Sequence, residues 1–124
     1  MSLREPTLFT LAALREGPLH GYAIAARARE LSAGRVSLTA GTLYGALDRL
    51  VEQGLVEVDR EEVVEGRKRR YHRLTEAGGH AVEEELGRLE ATLSALSTAR
   101  PTRKGAAGAR SSRLRGVAAD GGLA

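Results

Sequence analysis

The stretch TAGTLYGALDRLVEQG, residues 39–54, contains the cap, the apolar stripe and the end signal of one short helix. Thr39 is a suitable N-cap because its hydroxyl can accept a hydrogen bond from a free N–H of the first turn. Apolar side chains recur through the stretch at helical spacing: Leu43, Leu47, Leu50 and Val51. Gly54 is typical of a helix end, so the stretch predicts an amphipathic helix.

The face of this helix opposite the stripe is small and polar. At roughly 100° per residue, it carries Gly41, Thr42, Gly45 and Arg49, with Tyr44 on its flank. Each glycine costs a helix roughly 1 kcal/mol relative to alanine, which suggests that another molecule approaches this backbone closely. An ordinary solvated face with a half-buried tyrosine is the alternative interpretation.

Two further helices are predicted before this stretch. Pro6 is suited to the first helical position, and the apolar spacing that follows it stops at Gly17-Pro18. The alanine-rich segment 21–31 forms the second helix, which ends at residues 32–34. No strand is expected before the third helix.

A β-hairpin is predicted after the third helix. Residues 55–59 alternate between apolar and polar side chains, and residues 70–74 follow after Gly66. We expect these two segments to pair as antiparallel strands, with the charged residues between them forming the tip.

A long helix is predicted to follow the hairpin, capped by Thr75 and ending near Thr98. Five apolar residues lie along it at spacings of 4, 3, 4 and 3: Val82, Leu86, Leu89, Leu93 and Leu96. Such spacing is typical of a helix that packs against a partner helix, so these residues are the predicted dimerisation residues.

The order of elements predicts a mainly α fold with a small β-hairpin: a winged helix-turn-helix followed by a long C-terminal dimerisation helix. In this fold class the third helix enters the major groove and the hairpin, or wing, touches the flanking DNA. We expect a DNA-binding domain at 1–75, a dimerisation helix at 76–99 and a disordered basic tail at 100–124.

A dense basic cluster, Arg67–Arg70, follows a glycine near the predicted hairpin tip. Five acidic residues precede it on the hairpin: Glu57, Asp59, Glu61, Glu62 and Glu65. Two interpretations remain open. Either the opposite charges pair across the strands as an ordinary solvated surface, or the tip projects beyond them and Arg67, Lys68 and Arg69 meet DNA phosphates or the minor groove.

The net charge is concentrated at the C-terminal end. The whole chain of 124 residues carries +3, but residues 100–124 hold six basic residues and one acidic, which leaves −2 for the remainder. The tail is rich in Gly, Ala, Ser and Arg without apolar periodicity, so it is expected to be disordered. Two interpretations of its role are open: it adds affinity for DNA of any sequence, or it is a solvated appendage that touches nothing. Without cysteine or a long apolar segment, the chain is expected to be cytoplasmic, with no signal peptide and no membrane contact.

Enzymatic and metal-binding functions find little support in the sequence. The three histidines, His20, His72 and His80, lie on different predicted elements without metal-ligand spacing, and there is no cysteine to assist them. No nucleophile or phosphate-binding glycine motif is present. We therefore expect neither catalysis nor a cofactor nor a metal site.

The order and spacing of several short motifs resemble those of the PadR-like transcriptional regulators. The matching segments are 20–22, 41–44, 46–47, 49–50, 54–56, 66–67, 69–71, 74–75 and Gly78, within residues 8–96. The resemblance implies a homodimeric repressor of transcription that binds double-stranded DNA. Because two equivalent third helices would read the two half-sites, we expect the operator to be an inverted repeat. The resemblance places Tyr44 with its helix, and the wing around Arg67 to Arg69, on the DNA. Together with the outer face of the third helix, the predicted DNA-binding residues are Thr39, Gly41, Thr42, Tyr44, Gly45, Arg49, Arg67, Lys68 and Arg69.

Two other aspects of function stay open. Some members of the family bind small-molecule effectors between aromatic residues at the dimer interface, but the last helix here contains no aromatic residue, so any effector is unknown. The alternative function is a small coiled-coil module that binds other proteins without specific DNA binding. Such a module would have no reason to keep the third helix small and glycine-containing on its outer face.

Overall fold

A computed structural model of the chain describes residues 3–99. Its elements, in chain order, are α1 (Glu5–Ala13), β1 (Leu19–His20), α2 (Gly21–Leu31), α3 (Ala40–Glu52), β2 (Val56–Val64), β3 (Arg67–Leu74) and α4 (Glu76–Thr98). The predicted fold class, mainly α with a small β-hairpin and a long last helix, is confirmed. The predicted tail, 100–124, lies outside the described residues.

The helices begin and end close to the residues that the local signals indicate. Thr39 Oγ1 accepts the Thr42 N–H at 3.2 Å, and Thr75 Oγ1 accepts the Gly78 N–H at 3.0 Å, so both predicted N-caps are present. The prediction for α1 was wrong by one residue, because the helix begins at Glu5 and Pro6 takes its second position. Proline fits there as well, since the N–H it lacks would have no helical partner.

The core is aliphatic and draws on every helix. Its buried members are Leu8, Leu11, Ala13, Leu14, Ile24, Leu43, Leu47, Leu50, Val56 and Val82. Three of the four residues predicted for the apolar stripe of α3 are among them. Val51 was wrongly included, because it lies at the edge of the stripe and is 39% exposed.

The three strands form one antiparallel sheet in the order β1-β3-β2. The expectation that no strand precedes α3 was wrong, because Leu19 pairs with His72 and His20 pairs with Tyr71. A two-residue strand has no periodicity of its own and exists through its pairing with β3. The sheet thereby connects the hairpin to the residue just before α2.

The hairpin is longer than predicted. β2 continues to Val64 and β3 begins at Arg67, so the turn between them is only Glu65 and Gly66, with φ of 52° and 77°. Both residues adopt the left-handed conformation that a two-residue hairpin turn requires. A bulge between Val58 and Arg60 shifts the register by one residue. The basic residues expected in a loop at the tip therefore lie on β3.

The first turns of α4 pack tightly against the preceding elements. A Cβ atom on Gly78 would lie 2.1 Å from the backbone oxygen of Leu55, so only glycine allows this contact. Glu85 is buried, accepts the Leu3 N–H at 3.0 Å and pairs with Arg88. The chain divides into two compact units, Met1–Leu89 and Glu90–Ala124, and the described part of the second is residues 90–99.

Candidate nucleic-acid interface

The N-terminal half of α3 presents a small polar surface. Gly41, Thr42 and Tyr44 are exposed and Gly45 is half-buried, as the helical wheel predicts. A Cβ on Gly41 would meet no atom within 4 Å, so the backbone there is accessible to a large molecule. Thr39 is exposed too, but its hydroxyl is used by the cap and donates to the Thr42 hydroxyl at 3.0 Å. Thr39 thus acts on this surface by holding the first turn of α3.

Tyr44 leans from α3 onto the start of α2. A Cβ added to Gly21 would lie 2.6 Å from the Tyr44 hydroxyl oxygen, so the ring packs directly on the Gly21 backbone. Half of the Tyr44 side chain nevertheless remains exposed. The tyrosine therefore connects the two helices through the hydroxyl end of its ring.

The wing, defined as the hairpin β2–β3, carries its basic residues on β3. Two of them are paired with carboxylates of β2: Arg70 Nε with Glu61 at 2.9 Å, and Arg73 Nε with Glu57 at 2.7 Å. Lys68 Nζ lies farther away, 3.8 Å from Glu61. Within residues 3–99, neither Arg67 nor Arg69 forms an ion pair. Pairing across the strands, the first interpretation of the charged hairpin, is therefore confirmed for Arg70 and Arg73. Contact of Arg67, Lys68 and Arg69 with DNA stays a prediction.

One cavity of about 270 Å³ brings these elements together. Its lining residues are His20, Gly21, Tyr22, Tyr44, Arg67, Lys68, Arg69 and Arg70. Three of the predicted cations therefore share a concave surface with the predicted tyrosine of α3. Tyr22 was not among the predicted residues although 82% of it is exposed. The sequence signal that could have identified Tyr22 is its position next to Gly21, at the start of a predicted helix.

Arg49 does not belong to this cavity. It lines another one, of about 330 Å³, together with Leu3, Arg4, Gln53 and Glu84. The backbone of Arg49 is in the C-terminal half of α3, two turns from Thr42. Its side chain nevertheless reaches one of the predicted DNA-binding residues, because a guanidinium nitrogen would lie 3.7 Å from a Cβ added to Gly45.

Tyr71 anchors the base of the wing. The Arg60 guanidinium lies 4.0 Å from the centre of its ring, and the His20 ring meets it edge-on at 5.4 Å. A cation over an aromatic face and an edge-to-face ring pair are both attractive arrangements. Tyr71 thus joins all three strands at the level where the wing leaves the core.

His72 is the neighbouring buried polar residue of β3, with 3% of its surface exposed. Its Nδ1 has no hydrogen-bond partner in the described part of the chain. Burial lowers the pKa of His72 from its usual value, and the Arg70 guanidinium lowers it further, whereas the Asp48 carboxylate opposes the shift. The imidazole is therefore neutral near pH 7.

The predicted dimerisation residues lie on α4, where one of them is buried and the other four are exposed. Val82 is fully buried in the core of its own chain, so it is not on a surface available to a partner. Within the first unit, Leu86 and Leu89 are exposed. Within the second, Leu93 and Leu96 are 66% and 70% exposed. Four of the five predicted dimerisation residues are therefore exposed, and Val82 is not.

The fold and this interface define a winged helix-turn-helix protein: three helices, of which the third exposes its N-terminal half, followed by a basic hairpin. Residues 10–84 match the family model described as the transcriptional regulator PadR-like family. The chain belongs to this family of transcriptional regulators.

Two curated relatives and one solved structure illustrate the relationship. The chain is 42% identical over 85 residues to an uncharacterized 37.1 kDa protein in transposon TN4556 of Streptomyces fradiae, covering 68% of this chain and 23% of that protein. It is 44% identical over 62 residues to the transcriptional regulator Rv3488 of Mycobacterium tuberculosis, covering 50% of this chain and 57% of that one. The chain thus spans about a quarter and just over half of these relatives' lengths.

The fold is similar to that of Bacillus subtilis PadR, whose crystal structure is in complex with operator DNA. The TM-score is 0.59 at 24% identity, over 67% of this chain and 47% of that one. No helix within residues 3–99 is long and apolar enough to cross a membrane. In the same residues, no group of three or more His, Asp or Glu side chains could hold a metal ion.

Proposed function

We propose that this chain is a sequence-specific repressor of transcription that binds an inverted-repeat operator as a homodimer. The observation that carries the proposal is the cavity in which Tyr44 of α3 and the cations Arg67, Lys68 and Arg69 lie together. Residues from α3 read bases in the major groove, while the wing contacts the flanking backbone. The complex of Bacillus subtilis PadR with operator DNA supports a nucleic-acid partner for this fold.

The base-reading residues are Gly41, Thr42, Tyr44 and Gly45. Thr42 can donate to or accept from a base edge, and the two glycines let the DNA approach the helix backbone. Thr39 holds the first turn, and its hydrogen bonds to Thr42 fix the orientation of the neighbouring hydroxyl. The exposed Arg49, whose guanidinium lies beside Gly45, stays among the proposed DNA-binding residues.

The dimer forms through α4. Leu86, Leu89, Leu93 and Leu96 follow each other at helical spacing and would otherwise leave an apolar stripe in water. Packing against the same stripe of a second copy removes that surface from water and relates two copies of α3 by a twofold axis. In this division of labour, residues 1–75 bind DNA and residues 76–99 form the dimerisation helix.

The experiment that tests the proposal separates base reading from backbone contact. A duplex selected from a random pool with the full chain serves as operator, and a scrambled duplex serves as reference. Tyr44→Ala should cost about 1–3 kcal/mol per half-site on the operator and little on the scrambled duplex. Arg67→Ala should weaken both duplexes and flatten the salt slope by roughly one unit per protomer.

Arg73→Ala is the matched control for the wing variant, because Arg73 lies at the base of the same strand and is paired with Glu57. It should leave the salt slope close to that of the unmodified chain. Equal weakening of both duplexes by Tyr44→Ala, together with no effect of Arg67→Ala, would contradict the proposed roles. If no sequence were enriched from the pool, the chain would not be a specific DNA-binding protein.

A further inference from the structure

The two strands of the wing carry opposite charges in register. Glu57 faces Arg73, Glu61 faces Arg70 and Glu62 faces Arg69 across the antiparallel pair. A protein surface that binds DNA gains affinity from cations that meet phosphates and release the ions condensed on them. Carboxylates placed beside those cations work against this gain.

Glu61 is the carboxylate with the most contacts to the cations of the cavity. Its Oε2 accepts the Arg70 Nε–H at 2.9 Å, and its Oε1 lies 3.8 Å from Lys68 Nζ. Lys68 and Arg70 are two residues apart on β3, so their side chains leave the same face of the strand. One carboxylate therefore forms ion pairs with both cations of that face and offsets one of their two positive charges.

The neighbouring Glu62 is engaged differently. Its carboxylate accepts the Arg60 Nε–H at 2.8 Å, and that hydrogen bond is the main reason why the pKa of Glu62 is lowered. Glu62 is thus satisfied by a cation of its own strand. Arg69, which faces Glu62, lowers the pKa of that carboxyl through its charge, but it forms no ion pair within residues 3–99, and neither does Arg67. Lys68 and Arg70 are therefore the cavity cations that a carboxylate holds in an ion pair, and that carboxylate is Glu61.

We propose that the Glu61 carboxylate competes with DNA phosphates for Lys68 and Arg70, and so limits the affinity of the wing for duplexes of any sequence. The inference rests on the proposed function, in which the wing contacts DNA. All three side chains are exposed, so their ion pairs are weak and a phosphate can replace the carboxylate. Each replacement must first separate Glu61 from its cation, which reduces the gain.

This limit improves discrimination between the operator and other DNA. Backbone contacts carry no sequence information, and a genome offers a very large number of competing sites. A wing with four free cations would bind the chain strongly to random DNA. With Glu61 present, base reading by α3 contributes a larger share of the total affinity.

The test compares Glu61→Gln with Glu57→Gln in the full chain. Each variant removes one negative charge from β2, but Glu57 pairs with Arg73, which does not line the cavity. Dissociation constants for a random-sequence duplex of fixed length are measured at several salt concentrations. Glu61→Gln should bind about three- to tenfold tighter at roughly 0.1 M salt, with a slope steeper by about one to two units per protomer. Glu57→Gln should change neither quantity comparably.

A chain without the two cations tests whether the effect of Glu61→Gln depends on them or on some other change in the hairpin. In a chain that already carries Lys68→Ala and Arg70→Ala, Glu61→Gln should leave the salt slope unchanged. An unmodified slope for Glu61→Gln alone, or equal gains for Glu61→Gln and Glu57→Gln, would overturn the proposal. The proposed function is tested separately, by whether the unmodified chain enriches an operator sequence from the random pool. The Glu61 comparison uses random-sequence DNA, so its failure can be distinguished from failure of the proposed function.

Discussion

The contact between Gly78 and the Leu55 carbonyl can be tested through the stability of the fold. In Gly78→Ala the new Cβ would lie 2.1 Å from the Leu55 oxygen and 2.9 Å from a Leu74 methyl carbon. The oxygen belongs to the backbone and cannot rotate away. The start of α4 must therefore move, by roughly 1 Å or more, to restore an ordinary contact distance.

The expected loss of stability can be estimated from the contacts that this movement disturbs. The Leu55 oxygen also accepts the Thr75 N–H at 3.1 Å, at the point where α4 begins. Overpacking costs about 1–3 kcal/mol and a weakened hydrogen bond about 1 kcal/mol, while alanine returns roughly 1 kcal/mol of helix propensity. We expect the free energy of unfolding to fall by about 2 kcal/mol and Tm to fall by roughly 8–16 °C.

Gly79→Ala is the matched control, one residue along the same helix. Nothing lies within 4 Å of its added Cβ, so only the helix propensity changes and stability should rise by about 0.5–1 kcal/mol. Both variants are followed by circular dichroism during thermal and urea unfolding, at one protein concentration because a dimer's Tm depends on it. Equal shifts for Gly78→Ala and Gly79→Ala would refute the reasoning.

Two further predictions concern assembly and pH. The double variant Leu89→Glu and Leu93→Glu should have half the mass of the unmodified chain in light scattering, because charges replace apolar surface at the dimer contact. The control Glu90→Ala should keep the mass of the unmodified chain. A double variant that is still dimeric would contradict the proposed interface. Burial lowers the pKa of His72 below 6.5, so the unfolded chain binds more protons and the free energy of unfolding should decrease as pH falls from above 6.5 through the folded-state pKa. Urea unfolding measured across this pH range tests the prediction. His72→Leu should show a smaller decrease in the free energy of unfolding, and the control variant of the exposed His80, His80→Leu, should show the full decrease. If the pH dependence of stability were the same in His72→Leu as in the unmodified chain, His72 would not be its cause.

The helices could be predicted because their signals are local. Thr39 and Thr75 cap the helices that follow them, and the leucines of α3 repeat at the helical period. Each of these signals depends on residues within one or two turns of the chain. The order of helices and hairpin then sufficed to predict the fold class, since few folds share it.

The extent of the sheet could not be predicted in the same way. β1 consists of Leu19 and His20, and its hydrogen bonds go to residues more than fifty positions later. The outer parts of β2 and β3 consist largely of charged residues, whose cross-strand attraction replaces the apolar alternation that indicates a strand. Both features depend on pairing between distant segments.

The candidate site was predicted in part. The structure brings Tyr44 and Arg67–Arg69 into one cavity and adds the exposed Tyr22. Arg49 lines a different cavity, but its guanidinium lies beside Gly45. A helical wheel gives the direction of a side chain and not how far it reaches along the helix axis, so it predicts neither of these positions. The contact of Tyr44 with Gly21 depends on how α2 crosses α3, which no local pattern records.

The short pairing of β1 with β3 also determines where residues can be inserted to lengthen the wing. Leu19 and His20 connect the base of the hairpin to α2, whereas the outer end closes with only Glu65 and Gly66. Inserting two residues in each strand beside that turn would extend the wing by roughly 7 Å and keep every side chain on its original face. One extra residue within β1 would instead reverse the strand's faces and displace Tyr71 from His20. Length variation is therefore tolerated at the tip and excluded at the base, which makes the tip the natural place to redesign the footprint on DNA.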